Sequence, residues 1–527
     1  MNNIVIGSGI TGSNVALYLL EKGQNVELWD VGKTEKLEFC DEENFLDSKK
    51  NFIHSFRSLI GDDDKNFINP YNQNLFDLPP LRNFVLNKDE INNEINKINN
   101  FEIFQSFNIG GLANGWGANC IPYNDKDIDG WNLNYEDFIS SQKKIFKELT
   151  ISNIKDHLNS EFNFLNLGTE IPIELDHRDN YLFDKFIKNF EYFKNENFQI
   201  GKARLAIKNS NTVDSCKLTS RCLWGCPQKA IYNPINSTLK KCFSYKKFKY
   251  LGDRKISYFK LKENLISEIN YLKNNIELKE KINSRVFLCA GAIQSGMIFK
   301  KTCVKNNIEQ AKFITGLMDT KKVKIVYLLP KMIGKKIDYK SIQFNRLIGG
   351  MNEFYNNRNE YIHLEFLHLN SLFYQPLINS IPLPLKLSKS IFYNFYSAMG
   401  VCTYFLPDNL NEKNKINYHN NNFEINYFES EEKKHLSNRI EKRIKKYLLK
   451  MSAIPIKTIK YNSGAAIHYA GTIPMGNSDA YPVNSKGEVK FIKNLVISDS
   501  SAFPNLPSKP VSANAASYGI YTAKYYI

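Results

Sequence analysis

The residues most able to do chemistry lie near the two ends of the chain and in one loop between them. Close to the start, Gly7-Ser8-Gly9-Ile10-Thr11-Gly12 spaces three glycines as G-x-G-x-x-G. That spacing suits a bound pyrophosphate: Gly7 permits a tight turn, Gly9 lets the backbone approach the anion at a helix N-terminus, and Gly12 lets helix and strand pack closely. Asp30 follows where a carboxylate can accept hydrogen bonds from an adenosine ribose. Close to the end, His468 opens the loop His468-Tyr469-Ala470-Gly471-Thr472-Ile473-Pro474-Met475-Gly476. An imidazole titrates near neutrality and can take a hydroxyl proton, although a lone histidine is more often a structural hydrogen-bonder. In the middle, Cys216, Cys222 and Cys226 form C-x5-C-x3-C followed by Pro227. Thiolates are the normal ligands of iron-sulfur clusters, and a proline after the last ligand recurs in such loops, whereas zinc would want a fourth ligand, for which Cys242 is distant.

The elements needed to position these residues are legible around them. Ile4-Val5-Ile6 reads as a buried strand, the glycine turn follows, Val15, Ala16, Leu19 and Leu20 share a helix face, and Val26 to Asp30 reads as a second strand. This is the strand, turn, helix, strand order of a dinucleotide-binding unit. Beyond His468 come a strand at Asn494 to Ser498, then Asp499, and a proline-led helix from Pro510. Val323 to Leu329, Ile362 to Leu369, Val401 to Phe405 and Ile416 to Phe428 read as strands of an antiparallel sheet. Glu429 to Met451 reads as a basic amphipathic helix, with Leu436, Ile440, Ile444 and Leu448 at helical spacing.

Composition bounds the partners. A chain of 527 residues with 43% hydrophobic and 13% aromatic content can bury sizeable cores. Its formal charge of +16 includes the basic stretch Asn438 to Lys450, which, like the Lys/Asn-rich stretch Asn87 to Asn100, reads as a solvated helix face, so no nucleic-acid partner is expected. Nothing resembling a cleavable leader precedes Ile4, which predicts a cytoplasmic protein. The apolar region Leu372 to Leu406 is broken by prolines and lysines and lacks the roughly 20 apolar residues of a spanning helix, leaving peripheral membrane contact at most. Nine cysteines, an odd number, disfavour a disulfide framework.

The C-terminal stretch resembles that of the glucose-methanol-choline (GMC) oxidoreductases, which runs H-x-x-G-T-x-x-M-G and then N-L-x-V-x-D-x-S-x-F-P before a final helix. Two further blocks resemble the same family: Arg285 to Ser295, with Ala290-Gly291-Ala292, and Gly110 to Gly117, with Asn114. The resemblance implies an α/β fold, with a Rossmann-like FAD-binding domain plus a substrate domain built on an antiparallel sheet. FAD-binding pieces are expected at 1–130, 250–310 and 465–527, an inserted segment with the cysteine loop at 131–249, and the substrate domain at 311–464.

It further implies hydride transfer from a CH-OH group of an alcohol, sugar or polyol to FAD, with His468 as base. Gly7, Gly9, Gly12, Asp30, Asn114, Gly291 and Asp499 would bind the cofactor. The family usually places a His or Asn before the final helix; here Lys509 stands at that position, where an ammonium could stabilise developing negative charge. Gly115 stands where some relatives attach FAD to a histidine, so the flavin is expected to be non-covalent. Sugar dehydrogenases with a similar cysteine loop hold a three-iron cluster there and pass electrons to an acceptor protein, whereas family members without a cluster carry related loops near the substrate pocket. The competing reading is a flavin-binding or membrane-associated protein without turnover.

Overall fold

The computed structural model describes residues 2–34, 85–86, 94–152, 154–158, 168–210, 212–309, 313–337, 340–369, 378 and 381–527. Two six-stranded sheets organise the molecule. The first runs in the order Glu488–Val489, Ile492–Ile497, Ser284–Leu288, Asn2–Ile6, Val26–Trp29, Phe248–Leu251. All its pairings are parallel except the first. Ile4, Val5 and Ile6 are all buried, as a parallel strand covered on both faces requires. The helix Ile10–Glu21 covers one face and packs against the final helix Ser512–Ala523. Gly519 makes that contact possible, because a Cβ there would come within 2.8 Å of Thr11 Cγ2 and 2.9 Å of Val15 Cγ2.

The second sheet is antiparallel and runs Ile454–Lys460, Lys321–Leu328, Met399–Leu406, Arg358–His368, Leu347–Tyr355, Phe198–Lys202. Alternation along its strands gives it two unlike faces. Val323, Ile325, Cys402, Tyr404, Ile362 and Leu364 form an apolar face that shares a core with Leu436, Ile440, Ile444 and Leu448 of the helix Glu431–Lys450. The opposite set contains Lys322, Lys324, His363, Glu365, Thr403 and Phe405, with Lys322 and His363 both in register with Phe405, and Lys324 and Glu365 both with Thr403.

Two expectations are corrected. Ile416 to Phe428 is not one strand of this sheet but a hairpin, Lys415–His419 and Asn422–Asn426, in a separate three-stranded sheet. Asn420 and Asn421 both have positive φ (50° and 63°), the conformation of a tight two-residue hairpin turn. The third strand is Ile95–Asn99, so the described part of Asn87 to Asn100 is not helical. Residues 87–93 lie outside the described residues, as do most of 370–380 in the region Leu372 to Leu406.

Candidate active site

The glycine turn is built as its spacing requires. Gly7 has φ of 100°, and a Cβ there would lie 2.5 Å from the Cys289 carbonyl oxygen. A Cβ on Gly12 would lie 1.9 Å from the Gly7 carbonyl oxygen. Gly9, by contrast, would point a Cβ into space with no atom within 4 Å, and no side chain caps the helix that begins after it. The Gly110 segment lies beside this turn: Gly110 N donates to Ser8 Oγ at 2.9 Å, and a Cβ on Gly111 would come 3.4 Å from Gly9 Cα. Asn114 pins that segment, donating to the Ile109 and Gly111 carbonyls at 2.9 Å and accepting from Asn233 at 2.7 Å.

Asp30 accepts hydrogen bonds from the Ser8 hydroxyl and, at 3.2 Å, from the Tyr250 hydroxyl. Burial pushes its carboxyl up to about 6, against the pull of those donors. A second opening lies at Gly291, which has φ of 82°, precedes the helix Ala292–Lys305 and again has no atom within 4 Å of a built Cβ. Asp499 holds this corner, accepting from Gly291 N at 2.8 Å, Ser295 Oγ at 2.6 Å and Ser501 N at 2.9 Å. Its carboxyl is raised by burial, which outweighs the hydrogen bonds. Two helix starts with open space at their glycines, one of them beside a ribose-type carboxylate, fit the pyrophosphate and sugar portions of a dinucleotide such as FAD.

His468 is held at the front of the second sheet. Its Nδ1 lies 2.8 Å from Thr320 Oγ1, and its ring lies 5.4 Å from that of Phe405, which stacks on His363 at 5.7 Å. Burial pushes the imidazole down to about 4; Glu365 works to raise it, while His363 and Lys322 lower it further. The preceding residue, Ile467, has φ of 61°, a costly conformation for a β-branched side chain. The loop is tied down nearby, where Gly464 N donates to Asp319 Oδ2 at 2.7 Å.

Around His468 the structure assembles polar groups that the sequence reading missed. Glu365 lies 3.5 Å from His363 Nε2 and accepts from Asn119 Nδ2 at 3.0 Å. Burial works to raise its carboxyl, but His363, Asn119 and His468 together hold it below the usual range. His363 Nδ1 and Asn119 Oδ1 are buried without a hydrogen-bond partner. The available signal was the alternation Lys322-Val323-Lys324-Ile325 and His363-Leu364-Glu365-Phe366, which sets polar groups on one face of strands otherwise built for a core.

Lys509, expected near developing negative charge, is held by a carboxylate. Its ammonium is buried, paired with Asp127, and lies 5.3 Å from the centre of the Tyr361 ring. Its neighbour Ser508 instead accepts from the His363 backbone N–H at 2.9 Å and so braces that strand.

Cys216, Cys222 and Cys226 are partly buried, free thiols near enough to influence one another. Burial raises Cys216 and pushes Cys222 up to about 12. Their three sulfurs do not all lie within 4.8 Å of one another. The one tight set among the described residues is Asp176, Asp179 and His368. There the arginines already fill the cation's place: Asp176 meets Arg178 at 2.8 Å and Arg346 at 2.5 Å, and Asp179 meets Arg346 at 2.6 Å.

Residues 423–519 match the family model described as GMC oxidoreductase. The fold is similar to that of pyridoxine 4-oxidase from Mesorbium loti, at a TM-score of 0.58 and 14% identity over 100% of this chain and 99% of the other. It is also similar to a formate oxidase of Aspergillus oryzae RIB40 in a variant made to study FAD modification, at a TM-score of 0.61 and 11% identity over 99% and 97%. No curated protein matches the sequence significantly. No described helix is long and apolar enough to cross a membrane. Residues 423–519 thus match the GMC oxidoreductase family model, within a fold similar along nearly the whole chain to those of two solved oxidases.

Proposed function

We propose that this protein oxidises a CH-OH group of a small molecule, a sugar or polyol by preference, with His468 as the base and non-covalently bound FAD as the acceptor. One observation carries the reading: a half-buried imidazole, neutral above about pH 4, with Nδ1 tied to Thr320 at 2.8 Å. That leaves Nε2 to accept the hydroxyl proton. Oxidation of an alcohol carbon removes a hydride and a proton; bound flavin would supply the hydride acceptor, and His468 would take the proton. Glu365 and Asn119 would orient the substrate's other hydroxyls, and the glycine openings with Asp30, Asn114 and Asp499 would hold the cofactor.

A second reading concerns the electrons' exit. Cys216, Cys222 and Cys226 would hold a three-iron cluster that serves an acceptor protein. It is supported by the backbone N–H groups at each sulfur: Leu218 at Cys216, Gln343 at Cys222 at 3.5 Å, and Ala230 at Cys226 at 3.3 Å. Hydrogen bonds to sulfur are one of the protein's controls on cluster potential.

The test of the main reading is anaerobic bleaching of the bound flavin by a panel of sugars, polyols and simple alcohols. Bleaching that His468→Ala abolishes while flavin stays bound is the expected outcome. A flavin that no alcohol reduces would favour a binding protein without turnover.

A further inference from the structure

We propose that the tip Pro382-Leu383-Pro384 and the helix Leu385–Phe395 seat this protein on an anionic lipid surface. The segment lies in the excursion between the strands Arg358–His368 and Met399–Leu406, outside the site described above. Within the helix only Ser388 and Phe392 are buried. Phe392 packs with Ile378 and Tyr396, and Ser388 Oγ donates to the Leu383 carbonyl at 3.0 Å, so the tip is anchored from beneath. The rest of the helix faces outward, apolar side chains included. Leu383, Leu385 and Leu387 are 46%, 51% and 54% exposed, and Ile391 and Tyr393 are 39% and 55% exposed.

Single exposed apolar residues are ordinary, but five within eleven positions make a patch that wants a partner. The patch extends to a second segment, where Gly334 N donates to the Asn394 carbonyl at 3.0 Å and sets Ile333, also exposed, beside the helix.

Charge identifies the partner. Lys386 and Lys389 lie among the exposed apolar side chains, and Lys331, Lys335 and Lys336 flank Ile333; all five are exposed. No Asp or Glu occurs anywhere between residues 366 and 407. Leucines at a proline-stiffened tip ringed by lysines match the interface of an anionic bilayer: the apolar side chains enter the acyl boundary and the long lysine stems reach the headgroups. An eleven-residue helix is far too short to span, so the contact is peripheral. A protein partner would instead need acidic groups at fixed positions, and flexible lysine ends are poorly suited to such a fixed match.

The experiment is sedimentation of the full-length, flavin-loaded protein with vesicles of phosphatidylcholine alone or mixed with phosphatidylglycerol. Binding is expected to the mixed vesicles only, weakening as salt rises. It should fall about fivefold for each lysine removed in Lys386→Gln and Lys389→Gln. It should be lost in the triple substitution Leu383→Ser, Leu385→Ser and Leu387→Ser, which alters only exposed side chains and should keep its flavin. Sedimentation with neither vesicle, or equal binding by the triple variant, overturns the proposal. So does a concentration-dependent dimer that the triple variant abolishes, since that would assign the patch to a second copy of the chain. None of these outcomes depends on turnover, so the result stands apart from the reading of the active site.

Discussion

Thr320 Oγ1 lies 2.8 Å from Nδ1 of His468, which engages that nitrogen and leaves Nε2 as the one able to meet a substrate. A base at Nε2 needs its proton on Nδ1, donated to the threonine oxygen. Thr320→Val removes that acceptor without changing shape. We expect the rate of flavin reduction to fall about tenfold or more with KM little changed, since general-base catalysis contributes that much or more. Thr320→Ser should restore it. A Val variant as fast as the parent would show that the tautomer is held by something else.

The acid side of the pH profile follows from the imidazole. Its pKa is depressed to about 4, so the neutral base is present above that pH and is lost as pH falls through it. Flavin reduction should therefore be level near neutrality and decline only towards pH 4. Glu365 is the group that raises this pKa, so Glu365→Gln should move the acid limb to lower pH. A limb that stayed in place would mean that Glu365 is not felt by His468.

Two glycines of one turn should separate cofactor binding from folding. A Cβ on Gly9 meets no protein atom within 4 Å, so Gly9→Ala should fold with nearly unchanged melting yet lose flavin. A Cβ on Gly12 would lie 1.9 Å from the Gly7 carbonyl oxygen, so Gly12→Ala should destabilise the fold itself by about 1–3 kcal/mol. Flavin content and thermal unfolding on the same samples read both.

Lys509 and Asp127 form a buried pair, and removing one member strands the other's charge. Lys509→Met is expected to cost about 3–5 kcal/mol of stability. Much of that should return in the double substitution Lys509→Met and Asp127→Leu. A Lys509→Met protein of parental stability but without turnover would return the lysine to the chemistry.

For the cysteine loop, iron and acid-labile sulfide should be found on protein purified anaerobically and disappear in Cys222→Ser while the flavin remains. Flavin without iron in the parent protein would leave the three thiols as packing residues.

What the sequence by itself determined is what neighbouring residues settle among themselves. Three glycines at fixed spacing allow one turn, and Leu436, Ile440, Ile444 and Leu448 at helical intervals allow one buried face, so both were legible from types and positions. The position of His468 in its loop belongs with them. The groups around that histidine do not. Thr320, His363 and Glu365 stand more than a hundred positions away, and they meet it only because antiparallel pairing aligns His363 with Phe405 and Glu365 with Thr403 on one face of a sheet. Lys509 shows the same limit from the other side: its ammonium follows Asp127, 382 residues distant, because a buried cation goes to the nearest available anion and that anion is chosen by packing. The Ile416 to Phe428 segment was read as one strand because both arms carry strand-type residues. Its partner is Ile95–Asn99, and only the assembled chain decides which sheet edge a strand joins.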